Sequence, residues 1–347
     1  MVDVFAFALA FLSAVLFGAS TPASKLLLGS LEPLQLAGLL YLGAALAVAP
    51  WVARERPRGR AFLSDRVNAL RILGAVTFGG VFGPVLLLVA LRLTGAGSVS
   101  LLLNLELVAT AVLGVALFRE HLGRAGWLGV TGVVLAGAWV ANEGGLPGVW
   151  AALLTAAACV CWAIDNHLTA LIDGITPARS TLLKGAVAGA VSLGLGVALA
   201  PFEAGPGAVA AALAVGSLSY GASIALYISA AQELGATRAQ LVFASAPFVG
   251  LALSFALLGE AITASQLAAA ALFVPSLGAL FWSQHAHPHV HEALEHVHSH
   301  RHDDGHHVHE HPGQSAALRH SHSHRHERLE HAHPHWPDVH HRHGHSA

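Results

Sequence analysis

The residues able to do chemistry fall into two groups. The larger is a histidine run: 23 of the 25 histidines lie in 285–347, leaving only His121 and His167 upstream. They alternate with other residues in stretches such as His285, His287, His289, His291 and His320, His322, His324, His326. His296, His298, His300, His302, His306, His307, His309, His311, His331, His333, His335, His340, His341, His343 and His345 complete the set. Neutral imidazole is the commonest ligand for zinc, copper and nickel, and a pKa of about 6.5 leaves most of these rings neutral near pH 7. The run therefore predicts loose, multi-site binding of a divalent transition metal (zinc, nickel, cobalt or copper), with a pH-responsive or purely interactional tail as the alternative. His291, Leu294, Glu295, His296, His298 and His300 recur at the same spacing as His326, Leu329, Glu330, His331, His333 and His335. After a one-residue deletion, Asp304, His306, His307 and His309 recur as Asp338, His340, His341 and His343. Such duplication of ligand spacing argues against an appended tag.

The second group is sparse: Glu106 with Asn104 two residues before it, Asp165, Lys184 and Lys25, each inside or closing a long apolar run. A charged side chain in a bilayer costs about 2.5 to 3.5 kcal/mol, so each needs a partner or a water-filled cavity. Glu106, eleven residues after Gly95, falls near the midplane and reads either as a carboxyl hydrogen-bonded to a neighbouring helix or as a proton or cation site. Asp165 and Lys184 fall at similar depths, roughly 9 to 11 Å from the inner ends of consecutive spans, so an ion pair is expected. Asn166 and His167 follow Asp165, and His167 reads as an interfacial hydrogen-bonding group. Cys159 and Cys161, two apart on a helix, face different directions and cannot easily share a metal; two cysteines make no disulfide framework. Gly185 and Gly189 predict a face for close helix approach.

Positioning these residues requires a membrane scaffold. Only 11% of the chain is charged and 54% is hydrophobic, against roughly 25% charged in soluble domains. The stretch before the tail, 1–284, carries 13 Lys+Arg and 12 Asp+Glu, too few to solvate a surface of that size. A soluble fold is excluded, and a net charge of −2 argues against nucleic acid. With no basic n-region or small-residue cleavage site, the N-terminal run reads as a retained span.

A helix crosses a bilayer in about 20 apolar residues. Polar and Gly/Pro breaks delimit ten such runs, near 4–25, 33–53, 69–91, 96–118, 124–142, 148–171, 177–200, 207–232, 236–258 and 263–283. If both termini are cytoplasmic, the inner loops hold Arg54, Arg56, Arg58, Arg60, Arg66, Arg71, Arg119, Arg124, Arg179 and Arg238, and the outer loops only Lys25 and Arg92. That asymmetry places both ends and the tail in the cytoplasm of a multi-pass plasma-membrane protein. The arginines at 54–60 read as a topology signal in preference to a lipid-phosphate site.

The segment 95–120 lies on 235–260 without a gap, with seven of 26 positions identical, among them Gly95/Gly235, Leu101/Leu241, Leu113/Leu253 and Glu120/Glu260. Five helices per copy send the second copy in from the opposite side, the inverted-repeat plan of secondary transporters. The expected fold is all-α integral membrane: ten transmembrane helices as two inverted five-helix repeats, 1–143 and 144–284, plus a disordered tail, 285–347.

Over nearly all of 1–284 the chain resembles the drug/metabolite transporter superfamily with its paired EamA-type domains. The resemblance is carried by FGASTPASK ending at Lys25, LEPLQL around Pro33, and the paired segments NLELVATAVLGVALFREHL and ASAPFVGLALSFALLGEAI. It implies a ten-helix carrier of small metabolites working without ATP. The family's basic residue seven positions after the turn proline is matched by Lys184 after Pro177, whereas Leu40 stands there in the first copy. The proline before the glutamate-ended helix is matched by Pro247, whereas the first copy has Leu107 preceded by Glu106.

The expected function is secondary transport of a small solute, with protons as a candidate coupling ion and a tail that binds metal and regulates transport. One alternative makes a metal ion or chelate the substrate; another is a membrane-tethered metal-binding sensor without transport. No cofactor is required, a homodimer is left open, and no enzyme is expected: neither an intramembrane aspartate dyad nor a G-x-S-x-G turn occurs.

Overall fold

The computed structural model describes residues 4–55, 66–118, 122–172, 176–234, 236–282, 285–291, 294–300, 320–326 and 329–335. Among them, nine helical segments are long and apolar enough to cross a membrane: Val4–Leu27, Pro33–Arg54, Arg66–Leu93, Ala96–Leu117, Arg124–Glu143, Gly145–Thr169, Pro177–Leu199, Pro206–Ala231 and Ala239–Leu258. A shorter apolar helix, Ala264–Leu280, takes the tenth position. Lipid offers no partner to an unpaired N–H or C=O, so each run satisfies its backbone internally as a helix.

Starts and stops follow local chemistry. Pro33, Pro177 and Pro206 stand in the first turn of their helices, where the missing N–H costs nothing. The Glu32 backbone N–H donates to Gln35 Oε1 at 3.3 Å in a capping box. The Thr176 hydroxyl accepts from the Arg179 N–H at 3.2 Å. Gly259, with φ of +67°, closes the ninth span in the left-handed conformation that glycine adopts without strain.

Residues normally hidden in a soluble protein face outward: Phe5 is 70% exposed, and Trp51, Trp127, Trp139 and Trp150 are also exposed. The interior combines leucine and valine with many alanines and glycines, and the small residues let backbones approach in the absence of a hydrophobic drive between helices. The second and seventh spans show this best. A Cβ at Gly185 would strike the Tyr41 carbonyl and one at Gly189 the Leu42 backbone, while one at Gly38 would strike the Leu193 backbone.

Two irregularities occur twice, in corresponding spans. The third and eighth spans carry π-helical turns at Val76–Phe82 and Gly216–Ala222, separated by the same offset as the matched segments 95–120 and 235–260. In the third, Pro84 withdraws the N–H that would reach the Gly80 carbonyl; in the eighth, the turn is made of Gly, Ser and Ala around Leu218 and Tyr220. The fourth and ninth spans are broken, into Ala96–Leu102 and Leu105–Phe118, and into Ala236–Phe243 and Ala246–Leu258. Pro247 removes a donor beyond the second break. At the first, the Asn104 amide donates to the Leu101 carbonyl at 2.9 Å, replacing a helical bond.

The tail forms a compact unit of its own, Gln284–Asp338. The sequence predicts a segment without regular structure; within it, four short described stretches are extended and paired. His285–His291 runs antiparallel to Leu329–His335, and Leu294–His300 to His320–His326. Alternation of histidine with other residues has the strand period of two, which makes an extended ladder accessible to this composition.

Candidate functional site

The sixth span, within the helix Gly145–Ala170, sets three successive polar residues toward different neighbours. Asp165, 6% exposed, meets the seventh span: Lys184 Nζ lies 2.7 Å from Oδ1 and 2.5 Å from Oδ2. The Thr169 hydroxyl, one turn on, donates to Asp165 Oδ1 at 2.9 Å. Asn166 turns to the fourth span and donates from Nδ2 to Glu106 Oε1 at 3.0 Å. His167 Nε2 lies 3.1 Å from the Thr110 carbonyl on that same span. Steps of about 100° per residue are what let one helix serve two neighbours from adjacent positions.

The π-helical turn of the third span presses its glycines onto the ion pair. A Cβ at Gly79 would fall inside the Asp165 carboxylate, and one at Gly80 would strike Ala188 beside the Lys184 stem. The Gly79 carbonyl accepts from the Tyr41 hydroxyl at 2.5 Å and from the Trp162 indole N–H at 3.2 Å. The ion pair is thus roofed by backbone, with two aromatic donors holding that backbone in place. π-Turns recur at functional sites because they present backbone groups that an α-helix would consume.

Glu106 sits in the first turn of Leu105–Phe118, where the N-terminal dipole favours negative charge. Its hydrogen-bond partner among the described residues is the neutral Asn166 amide, while Lys184 is engaged by Asp165. The cluster therefore holds two carboxylates and one ammonium.

Of the sequence-predicted residues, the structure brings Glu106, Asp165 and Lys184 together and leaves Asn104 and Lys25 apart. Asn104, 2% exposed, lies at the break of the fourth span, with its Oδ1 unpartnered among the described residues. Lys25 closes the first span and donates to the Leu91 and Thr94 carbonyls. Sequence reasoning missed Tyr41, Trp162, Thr169 and Gly79. A signal existed for two of them, since Trp162 and Thr169 flank Asp165 at i−3 and i+4 on one helical face. Cys159 is buried and Cys161 half-buried, both as free thiols.

Among the described residues, no three His, Cys, Asp or Glu side chains are grouped to hold a metal. Arg56, Arg58, Arg60, Arg119, Glu120 and His121 lie outside the described residues, as do His302, His306, His307, His309, His311, His340, His341, His343 and His345. For the remaining tail histidines the description extends to backbone pairing alone.

Comparison with known proteins accords with this architecture. An uncharacterized transporter of Methanothermobacter thermautotrophicus is 26% identical over 297 residues, spanning 78% of this chain and 84% of the relative. A protein of known crystal structure shares the fold with a TM-score of 0.58 at 17% identity, over 80% of this chain and 98% of its own. The profile of the EamA-like transporter family matches twice, at 4–142 and at 149–282. Matched across both halves, the chain belongs to the EamA-like transporter family.

Proposed function

We propose that this membrane transporter of small solutes is a secondary carrier whose solute and coupling site is the cluster of Glu106, Asn166, Asp165 and Lys184. The observation that carries the reading is the unequal charge count: the Lys184 ammonium is taken up by Asp165 at 2.5 Å, and Glu106 is held by an amide. A carboxylate in low dielectric without a cation is costly, and a proton or a positively charged group on the solute removes that cost. Exchange of one for the other at Glu106 gives a carrier its coupling without ATP. The cluster joins the fourth, sixth and seventh spans, so it lies between the two sequence repeats, where inverted-repeat carriers bind substrate.

The histidine tail belongs to a second layer of the proposal. It binds divalent transition metal and adjusts transport to metal supply from the cytoplasmic side of the plasma membrane, where the arginine distribution puts both termini. Lying beyond the tenth helix, it cannot itself form a path through lipid. The rival reading, in which the metal ion or its chelate is the solute, draws on the same negative excess at Glu106.

Uptake into proteoliposomes of a panel of radiolabelled metabolites and divalent metals, by the full chain and by a chain ending at Gln284, separates these. Flux of a metabolite that persists without the tail supports the proposal. Flux of metal alone establishes the rival, and no flux of any solute by the full chain overturns both.

A further inference from the structure

The short turn that joins the third and fourth spans is held from both sides. Where the helix Gly83–Leu93 ends, carbonyls are left without intrahelical donors, and where Ala96–Leu102 begins, N–H groups are left without acceptors. Lys25, closing the first span, donates to the carbonyls of Leu91 and Thr94. Glu260, just past the ninth span, accepts from the N–H of Ala96 at 2.8 Å through Oε1 and from the N–H of Gly97 at 2.9 Å through Oε2. The opposite charges thus grip opposite ends of one turn. Gly95 sits between them with no room to spare: a Cβ there would lie 3.0 Å from Glu260 Oε2.

The first, third, fourth and ninth spans converge on this turn, and the last of them comes from the second sequence repeat. Alternating access requires the two halves of an inverted-repeat carrier to move against each other, and here the halves are joined by a carboxylate that spans two backbone N–H groups. Charged hydrogen bonds of this kind are roughly twice as strong as neutral ones. Neighbouring contacts add to the grip: Arg92 pairs with Glu32 at 2.8 Å, and Gln266 Nε2 donates to Ser98 Oγ at 3.0 Å.

We infer that Lys25 and Glu260 form a two-sided latch on the Thr94–Gly95 turn, and that its release is the step that opens the solute path on this face of the membrane. The inference rests on the transport reading for its purpose, and its test does not require a solute. Lys25 and Glu260 are positioning residues: neither belongs to the cluster around Glu106.

The reporter is Ser100→Cys, since Ser100 is 1% exposed and lies one turn into the helix that the latch holds. It is placed in a chain with Cys159→Ala and Cys161→Ala, reconstituted in nanodiscs and labelled with a membrane-impermeant maleimide. Release by Glu260→Gln, which discards the charge and turns one acceptor into a donor, is expected to speed labelling about tenfold or more at an unchanged elution profile. Gly95→Ala, which displaces the carboxylate while leaving every charge in place, is expected to do the same and decides the matter if Glu260→Gln fails to fold. Unchanged labelling in the folded variants overturns the latch. No solute flux by the wild-type chain in vesicles, together with faster labelling in the folded variants, would sink the transport reading and leave the latch standing; flux by the wild-type chain with unchanged labelling in the variants would do the reverse.

Discussion

Lys184 meets both oxygens of Asp165, at 2.7 and 2.5 Å, and this contact ties the seventh span to the sixth. Removing one partner of a buried pair strands the other, at a cost of about 3 kcal/mol. Asp165→Asn is therefore expected to lower the unfolding temperature in detergent by several degrees and to reduce transport. The exchange Asp165→Lys with Lys184→Asp preserves neutrality and should recover part of both. Equal damage from the exchange and from the single change would mean that one residue acts alone.

Glu106→Gln is expected to behave differently from Asp165→Asn. The glutamine carbonyl can still accept from Asn166, so the unfolding temperature should stay within a degree or two while solute flux falls at least about tenfold through loss of the exchangeable charge. Full flux by Glu106→Gln across the pH range, measured in proteoliposomes, would return this carboxyl to a packing role.

The glycines give a contrast that needs no transport assay. Gly79→Ala drives a methyl into the Asp165 carboxylate, and overpacking of this kind costs about 1 to 3 kcal/mol. Gly194, in the same helix as Lys184, has open space where a Cβ would go, and Gly194→Ala should raise stability by about 0.5 to 1 kcal/mol through helix propensity. Thermal unfolding of the two variants should move in opposite directions; movement in the same direction would contradict the close approach of the π-turn to the ion pair.

Deleting 285–347 is expected to leave the helical unit folded, because its two largest core clusters are built from residues between Leu31 and Leu280. Protease protection of the segment 54–71 should match that of the full chain, and calorimetric titration with zinc or nickel should lose most of its heat. Retention of metal binding by the shortened chain would move the metal site into the bundle.

What the sequence made legible follows from what lipid enforces. Among the described residues the ten apolar runs became nine helices long enough to span and one shorter helix, because an isolated apolar run satisfies its backbone in hydrocarbon only as a helix, and the Asp165 and Lys184 pairing followed from their depths along consecutive spans. Depth, however, says nothing of which neighbour a side chain faces. Lys25 reads as a pathway residue by charge and position, yet it binds the carbonyls of Leu91 and Thr94, acceptors created only when the third span ends beside it. Tyr41 reads as one more ring in an apolar run; its role depends on the Gly79 carbonyl, which becomes available in a π-turn that hydropathy cannot distinguish from an α-helix. Glu106 and Asn166 are far apart in the chain, and no spacing rule joins them.

The paired π-turns also mark a correspondence between the halves that residue identity does not show. A π-turn houses one residue more than the α-helix around it, and this surplus stands at Val76–Phe82 in one half and at Gly216–Ala222 in the other, at the same offset that aligns 95–120 with 235–260. The residues within the two turns differ, VTFGGVF against GSLSYGA, so it is the backbone distortion and not a side-chain pattern that recurs. Each turn lies just before the broken span that follows it, so both matched segments are preceded by the same loosening of the helical ladder.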